Sequence, residues 1–193
     1  MTATLIPPGA PEFVALFDRF RTSAFRLETL QSYGASGEDA DVTAFLAGDP
    51  VPADPGHDAW LDMIRRNTAG GRTMRRVHVV LEPLSAYMRY ELCWPYALCT
   101  AAGENIGIVS TPSGLWPSGL PVVGTDFWLF DSAELYEQRY DDQGRWLGTE
   151  HIADSARVDQ ACWWRTIASK QAVPWANYMA GHPDLADRVP VTA

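Results

Sequence analysis

Apolar residues recur along this chain with two periods, and the changes of period mark its elements. In residues 11 to 21, Phe13, Leu16, Phe17 and Phe20 fall at helical spacing behind Pro11, which suits a first helical turn. Residues 24 to 30, AFRLETL, alternate instead: Phe25 and Leu27 face one way, Arg26 and Glu28 the other, as in a strand with one polar face. A short helix runs through Val42, Phe45 and Leu46 and stops at Gly48. The stretch GDPVPADPG is a stiff connector, with Asp54 expected to cap a helix that starts at Pro55. Trp60, Met63 and Ile64 form that helix's apolar stripe, and Gly70-Gly71 end it.

Alternation returns in MRRVHVVL (74 to 81). Val77, Val79 and Leu81 share one face; Arg76, His78 and Val80 share the other. Pro83 opens a helix, LSAYMRYELCW, which Pro95 should end near Trp94. NIGIV (105 to 109) reads as a strand, followed by a Pro/Gly-rich loop, STPSGLWPSGLPVVG, of a length often reserved for function. DFWLFD (126 to 131), ELYEQRY and RWLGTEHI are strands joined by the turns DSAE and DDQG. Asp154 caps a helix carrying Ala161, Trp164, Ile167 and Ala168, and Pro174 starts a last short helix closed by Gly181. Strand–helix alternation followed by hairpins predicts an α/β fold of mixed α+β character: a single mixed sheet with helices on both sides and a C-terminal antiparallel meander. Residues 1–181 form one globular domain in this reading, and residues 182–193 a tail.

Composition sharpens the class. The 193 residues are 47% hydrophobic and 20% charged, as in a globular protein, with a net charge of −9. So negative a total makes nucleic-acid binding an unpromising expectation. The N-terminal MTATLIPPGAPEF lacks the basic start and apolar core of a signal peptide, and no run is long enough to span a bilayer, so no membrane role is expected. Cys93, Cys99 and Cys162 are odd in number and have no metal-ligand spacing, which fits reduced thiols in a cytoplasmic protein. Eight tryptophans are many; they serve a core or line a cavity.

Familiar catalytic machinery is absent. The chain has no GxGxxG after a strand, no GxxxxGK[ST], no GxSxG and no HExxH, so no cofactor and no metal are expected. The candidate chemistry lies on two strands. If they are neighbours, Arg26, Glu28, Arg76 and His78 share one face, either as a salt-bridge network or as the floor of a polar pocket. His78 would then be the ordinary acid–base candidate near pH 7. Arg89 and Glu91 on the following helix could complete the pocket, and Trp128 and Asp131, near a strand end, are the next candidates. A second feature is RRNTAGGRTMRRVHVV (65 to 80), five arginines with no acid among them. The helix dipole accounts for Arg65 and Arg66; Arg72 and Arg75 lie in or beside the following turn, and the group could dock an acidic protein or a phosphate-bearing ligand.

Several segments together resemble an uncharacterised actinobacterial family, a domain of unknown function: FDRFRTSAFRLETL, MRRVHVVLEPLSAYMRYEL, AAGEN, and DFWLFD followed by YDDQGRWLG. Members of that family resemble companions of helix-turn-helix regulators, which implies a regulatory role and such a regulator as partner. The helix-GG-basic-strand unit and FWLFD also resemble a half-domain of the phospholipase D-like superfamily. Its His-x-Lys signature is missing, because Ala59, Val80, Ala153 and Asp184 stand two residues after the four histidines; phosphodiester hydrolysis is therefore not expected. The leading expectation is a non-catalytic cytoplasmic binding or regulatory protein that recognises a small ligand or a protein partner. The alternative is an enzyme of specialised metabolism acting on a small polar or anionic substrate.

Overall fold

The two alternating segments become adjacent parallel strands in the computed structural model, which describes residues 5–34, 38–50, 55–112 and 114–189. In chain order the elements are β1 (Leu5–Ile6), α1 (Pro11–Val14), α2 (Leu16–Arg19), β2 (Ser23–Glu28), α3 (Asp39–Ala47), α4 (Pro55–Ala69), β3 (Thr73–Glu82), α5 (Ala86–Cys93), α6 (Pro95–Ala101) and β4 (Asn105–Pro112). There follow β5 (Phe127–Phe130), β6 (Glu134–Tyr140), β7 (Trp146–Ile152), α7 (Ser155–Gln171), β8 (Val173–Pro174), α8 (Trp175–Ala180) and α9 (Pro183–Ala186). Among the described residues the strands form one mixed sheet in the order β1-β7-β6-β5-β2-β3-β4-β8. β2, β3 and β4 run parallel, as their helical crossovers require. The remaining pairings are antiparallel, including the β5–β6–β7 meander.

The alternation divides the core in two. Val77 and Val79 of β3, with Phe25 and Leu27 of β2, pack under α7, where Ala161 and Ala168 are fully buried. Met74 and Val80, on the opposite face, pack beneath the shorter helices α2 to α6 and α8. Phe17 is the hub of that second layer. Its ring meets Trp60, Trp128 and Phe130 edge-on at 5.1, 4.9 and 5.3 Å, contacts worth about 0.5–1.5 kcal/mol each beyond their burial. Phe17 thereby fixes two tryptophans that the site uses.

Several expectations need correction. The helix expected over 11 to 21 is interrupted at Ala15 and ends at Arg19, because Phe20 turns extended (ψ 151°) and seats its ring in the core. Pro95 does not merely end α5; it begins α6, where the missing N–H costs nothing. Two-residue strands β1 and β8 were too short to carry a period. The expected tail is not wholly a tail: residues 183–186 form α9, and Leu185 is 1% exposed against the core. Gly48 ends α3 in the left-handed region (φ 85°), and Asp154 caps α7 through Ala156 N, both as the sequence indicates. The cap expected at Asp54 lies outside the described residues.

Candidate functional site

Register brings the polar quartet together. Across the parallel pair, Arg26 stands opposite Arg76 and Glu28 opposite His78; across the antiparallel pair, Arg26 stands opposite Trp128. These side chains emerge on the face covered by the short helices. On that face lies a pocket of about 220 Å³. Arg26, Glu28, Arg76 and Trp128 all line it, as does Glu91 reaching down from α5. Phe13, Trp60, Trp146, Tyr33, Tyr87 and Tyr140 form much of the wall, and Glu38 and Gln138 complete it.

The floor is a buried ion network. Arg26 Nε donates to Glu28 Oε1 at 2.9 Å, and Arg76 spans both Glu28 oxygens at 2.9 and 3.0 Å. Behind it, Arg76 Nε donates to Glu104 Oε1 at 3.1 Å. Burial alone would raise the Glu28 pKa, but Arg76 and Arg26 hold it well below the usual carboxylate range. Tyr96 Oη donates to Glu28 Oε2 at 2.7 Å and lies 2.6 Å from His78 Nδ1. The other ring nitrogen of His78 faces the Leu30 carbonyl oxygen at 2.7 Å. His78 is fully buried, burial lowers its pKa, and it does not line the pocket. It braces the floor rather than facing a ligand.

Another buried carboxylate, Asp126, organises the wall beside Arg26. It accepts from Thr29 N (2.8 Å), Thr29 Oγ1 (2.6 Å), Tyr33 Oη (2.6 Å) and Tyr140 Oη (3.1 Å). Asp126 thus orients two of the wall's tyrosines through their hydroxyls.

Three wall residues carry polar atoms that are buried without a hydrogen-bond partner: Glu91 Oε2, Gln138 Nε2 and Trp146 Nε1. Glu91 and Gln138 are 5% and 3% exposed. The far side of Gln138 is engaged, because Thr149 Oγ1 donates to its Oε1 at 3.0 Å. The Tyr87 hydroxyl lies by both Glu91 and Glu38 and donates to Glu38 Oε2 at 2.8 Å. Burial, with Glu38 and Glu28 facing it, pushes the Glu91 carboxyl up to about 8. Leaving a buried polar group unsatisfied costs about 1–3 kcal/mol, so three around one cavity are a concentrated cost.

The remaining sequence candidates lie elsewhere. Arg89 does not join Glu91 at the pocket; it pairs at the surface with Asp184 at 3.1 Å. Two residues on a helix point about 200° apart, so both could not face inward. Asp131 is also away from the pocket. It sits beside Ser23, at the start of β2, whereas Glu28 ends that strand. With φ 52° it accepts from Arg21 N, Thr22 N, Thr22 Oγ1 and Ser23 N. Against the upward push of burial, those donors hold its carboxyl at about 2.

The arginine cluster meets acids brought from other turns. Arg65 pairs with Asp62 at 2.7 Å and Arg66 with Asp18 at 3.0 Å, all four side chains more than half exposed. Arg72 donates to Asn67 Oδ1 at 2.7 Å and lies over Phe20; Arg75 is half-buried, its Nε without a partner. None of these four lines the pocket. The long loop after β4 packs Trp116 and Leu120 on the α7 side of the sheet and stays clear of the pocket as well.

Sequence reasoning missed Glu38, Tyr87, Trp146, Tyr33, Asp126, Gln138 and Tyr140 as site residues. The last two were readable, since ELYEQRY places Tyr136, Gln138 and Tyr140 on one face of β6. Tyr33 lies outside any expected element, and Asp126 opens DFWLFD, an apolar run without the alternation that would assign it a face. Among the described residues no group of three His, Cys, Asp or Glu could hold a metal ion, and no helix is long and apolar enough to cross a membrane.

A family model described as a domain of unknown function, DUF6879, matches residues 11–180. A search of curated proteins finds no match.

Proposed function

Because the chain belongs to the DUF6879 family, whose function is unknown, we propose its role from its site: it is a binding protein that holds a small polar ligand between the sheet and the short helices. The observation that carries this reading is the set of buried, unpartnered atoms on Glu91, Gln138 and Trp146 around one aromatic-walled cavity. Small-molecule sites combine apolar and aromatic walls with a few convergent polar groups. A ligand that paired those atoms would recover their cost on binding.

The role is non-catalytic in this proposal. His78, the residue best suited by type to move a proton near pH 7, has both ring nitrogens engaged and lies off the pocket wall. An enzyme acting on a small polar or anionic substrate therefore has less support. The resemblance of segments such as MRRVHVVLEPLSAYMRYEL to companions of helix-turn-helix regulators supports a cytoplasmic, regulatory setting, with such a regulator as the partner informed of ligand binding. The phospholipase D-like resemblance adds no chemistry to it, for want of a His-x-Lys pair.

Thermal unfolding with a panel of small polar metabolites tests the proposal. A true ligand at a hundred times its Kd should stabilise by about 2.7 kcal/mol, raising Tm by roughly 5–10 °C in a chain of this size. The rise should shrink in Gln138→Leu and Trp128→Ala. A panel without effect, or a rise that both variants keep, would refute the site.

A further inference from the structure

The charges around the pocket do not balance, and the imbalance has a sign. Two guanidinium groups, Arg26 and Arg76, reach the floor, and both are matched to carboxylates: Glu28 takes both, Glu104 takes the far edge of Arg76, and Asp126 lies 3.9 Å from Arg26. Those three carboxylates already outnumber the two guanidinium groups, and two more carboxyl groups line the wall: Glu38, which accepts from the Tyr87 hydroxyl, and Glu91. An anionic ligand would have to draw the arginines from partners they already hold, against four or five nearby acids. A cation would meet an excess of carboxyl groups, in a cavity whose aromatic rings favour positive charge by about 0.5–2 kcal/mol for a ring face in contact.

The unpartnered atoms refine this. Once ionised, Glu91 calls for a donor at its Oε2, while Gln138 Nε2 and Trp146 Nε1 are donors that call for an acceptor. A quaternary ammonium has no N–H to give. We propose that the ligand is a small protonated amine, primary or secondary, whose N–H pairs with Glu91 and which carries an oxygen or ring-nitrogen acceptor for Gln138 and Trp146. This rests on the reading of the pocket as a binding site and names the chemical class it takes.

A linked proton follows. Glu91 faces Glu38 ahead of α3, Glu28 of β2, Arg76 of β3, Tyr96 and Cys99 of α6, and Tyr87 on its own helix. In that company, and out of water, its carboxyl holds a proton up to about pH 8. An ammonium placed against it reverses the preference, so the carboxyl gives its proton to the buffer as the amine binds. Affinity should then rise toward ten-fold per pH unit between about pH 6 and pH 8, while the amine itself stays protonated.

The test uses three probes with one skeleton and three charges: tyramine, its neutral counterpart 4-(2-hydroxyethyl)phenol, and 4-hydroxyphenylacetate. Titration calorimetry on the full chain, in two buffers of different ionisation enthalpy, reads affinity and proton release together. Tyramine should bind at least about ten-fold tighter than either of the others and release close to one proton near neutral pH. Glu91→Gln should erase the release, the pH dependence and most of the preference for the amine. If the alcohol or the carboxylate binds as well as tyramine, or Glu91→Gln keeps full preference for it, the amine assignment is overturned and the pocket stands. If none of the three binds at millimolar concentration, the assignment and the reading of the pocket fall together.

Discussion

Arg26 and Arg76 stand directly opposite each other on neighbouring parallel strands, and both donate to the same oxygen, Glu28 Oε1, at 2.9 Å. Two like charges face to face would drive these strands apart; one shared carboxylate, 4% exposed, makes their proximity possible. Glu28→Gln should therefore cost about 3–5 kcal/mol, the range for removing one member of a buried ion network. Urea unfolding near neutral pH measures it. A loss under about 1 kcal/mol would mean the arginines find other partners easily.

Glu91 predicts an unusual pH profile. Its folded value of about 8 lies above its ordinary 4.5, so between those values the folded chain binds more protons than the unfolded one. The stability this supplies is whole below about pH 4.5 and is lost as pH rises through about 8, at up to about 1.4 kcal/mol per pH unit. Glu91→Gln should flatten this slope and leave the variant more stable than the parent at pH 8. Thermal melts across that window decide it: parallel profiles for the two proteins would contradict the assignment.

Asp131 should behave as a structural residue only. Its carboxylate satisfies the backbone N–H groups that lead into β2, so Asp131→Ala should cost about 1.5–3 kcal/mol, as for lost hydrogen bonds to a charged group. Because its folded value is depressed to about 2, the contribution is present above the ordinary aspartate range and fades as pH falls through about 2. Tyramine affinity, measured at a temperature where the variant remains folded, should be unchanged.

Exposed arginines offer a contrasting case. Replacing Arg65 and Arg66 by Gln removes two surface pairs, with Asp62 and Asp18. Such pairs contribute about 0–1 kcal/mol each, so the melting temperature should hardly move and the pocket should bind as before. If these arginines dock an acidic partner, the same variant should lose capture of a purified acidic partner at low salt while keeping its fold. Unaltered capture would confine the two arginines to local pairing and the helix dipole.

The sheet and the quartet on its polar face were legible because alternation is a local signal: AFRLETL and MRRVHVVL each state which residues share a side. Which strands are neighbours follows from tertiary contacts, and the register that sets Arg26 against both Arg76 and Trp128 is written in neither segment alone. Arg89 and Asp131 show the limit. Both are polar and near the right elements in sequence, yet α5 turns Arg89 outward beside an inward Glu91, and β2 places Asp131 at its opposite end from Glu28. Asp126 was invisible for another reason: its partners Thr29, Tyr33 and Tyr140 come from two distant parts of the chain.

The junction of β2 with β5 also divides the sheet into two halves of different contact range. On one side lies a meander of β5, β6 and β7, joined by tight turns and rich in local contacts; on the other, three parallel strands paired across helical crossovers of long sequence separation. The cavity straddles the line where these halves meet, with Arg26, Glu28 and Arg76 from one and Trp128, Gln138, Tyr140 and Trp146 from the other. A molecule held there is a clasp across the seam. On the binding proposal it should slow the parting of the two halves, an expectation that the unfolding rate and the hydrogen-exchange lifetimes of β2 and β5 amides would test.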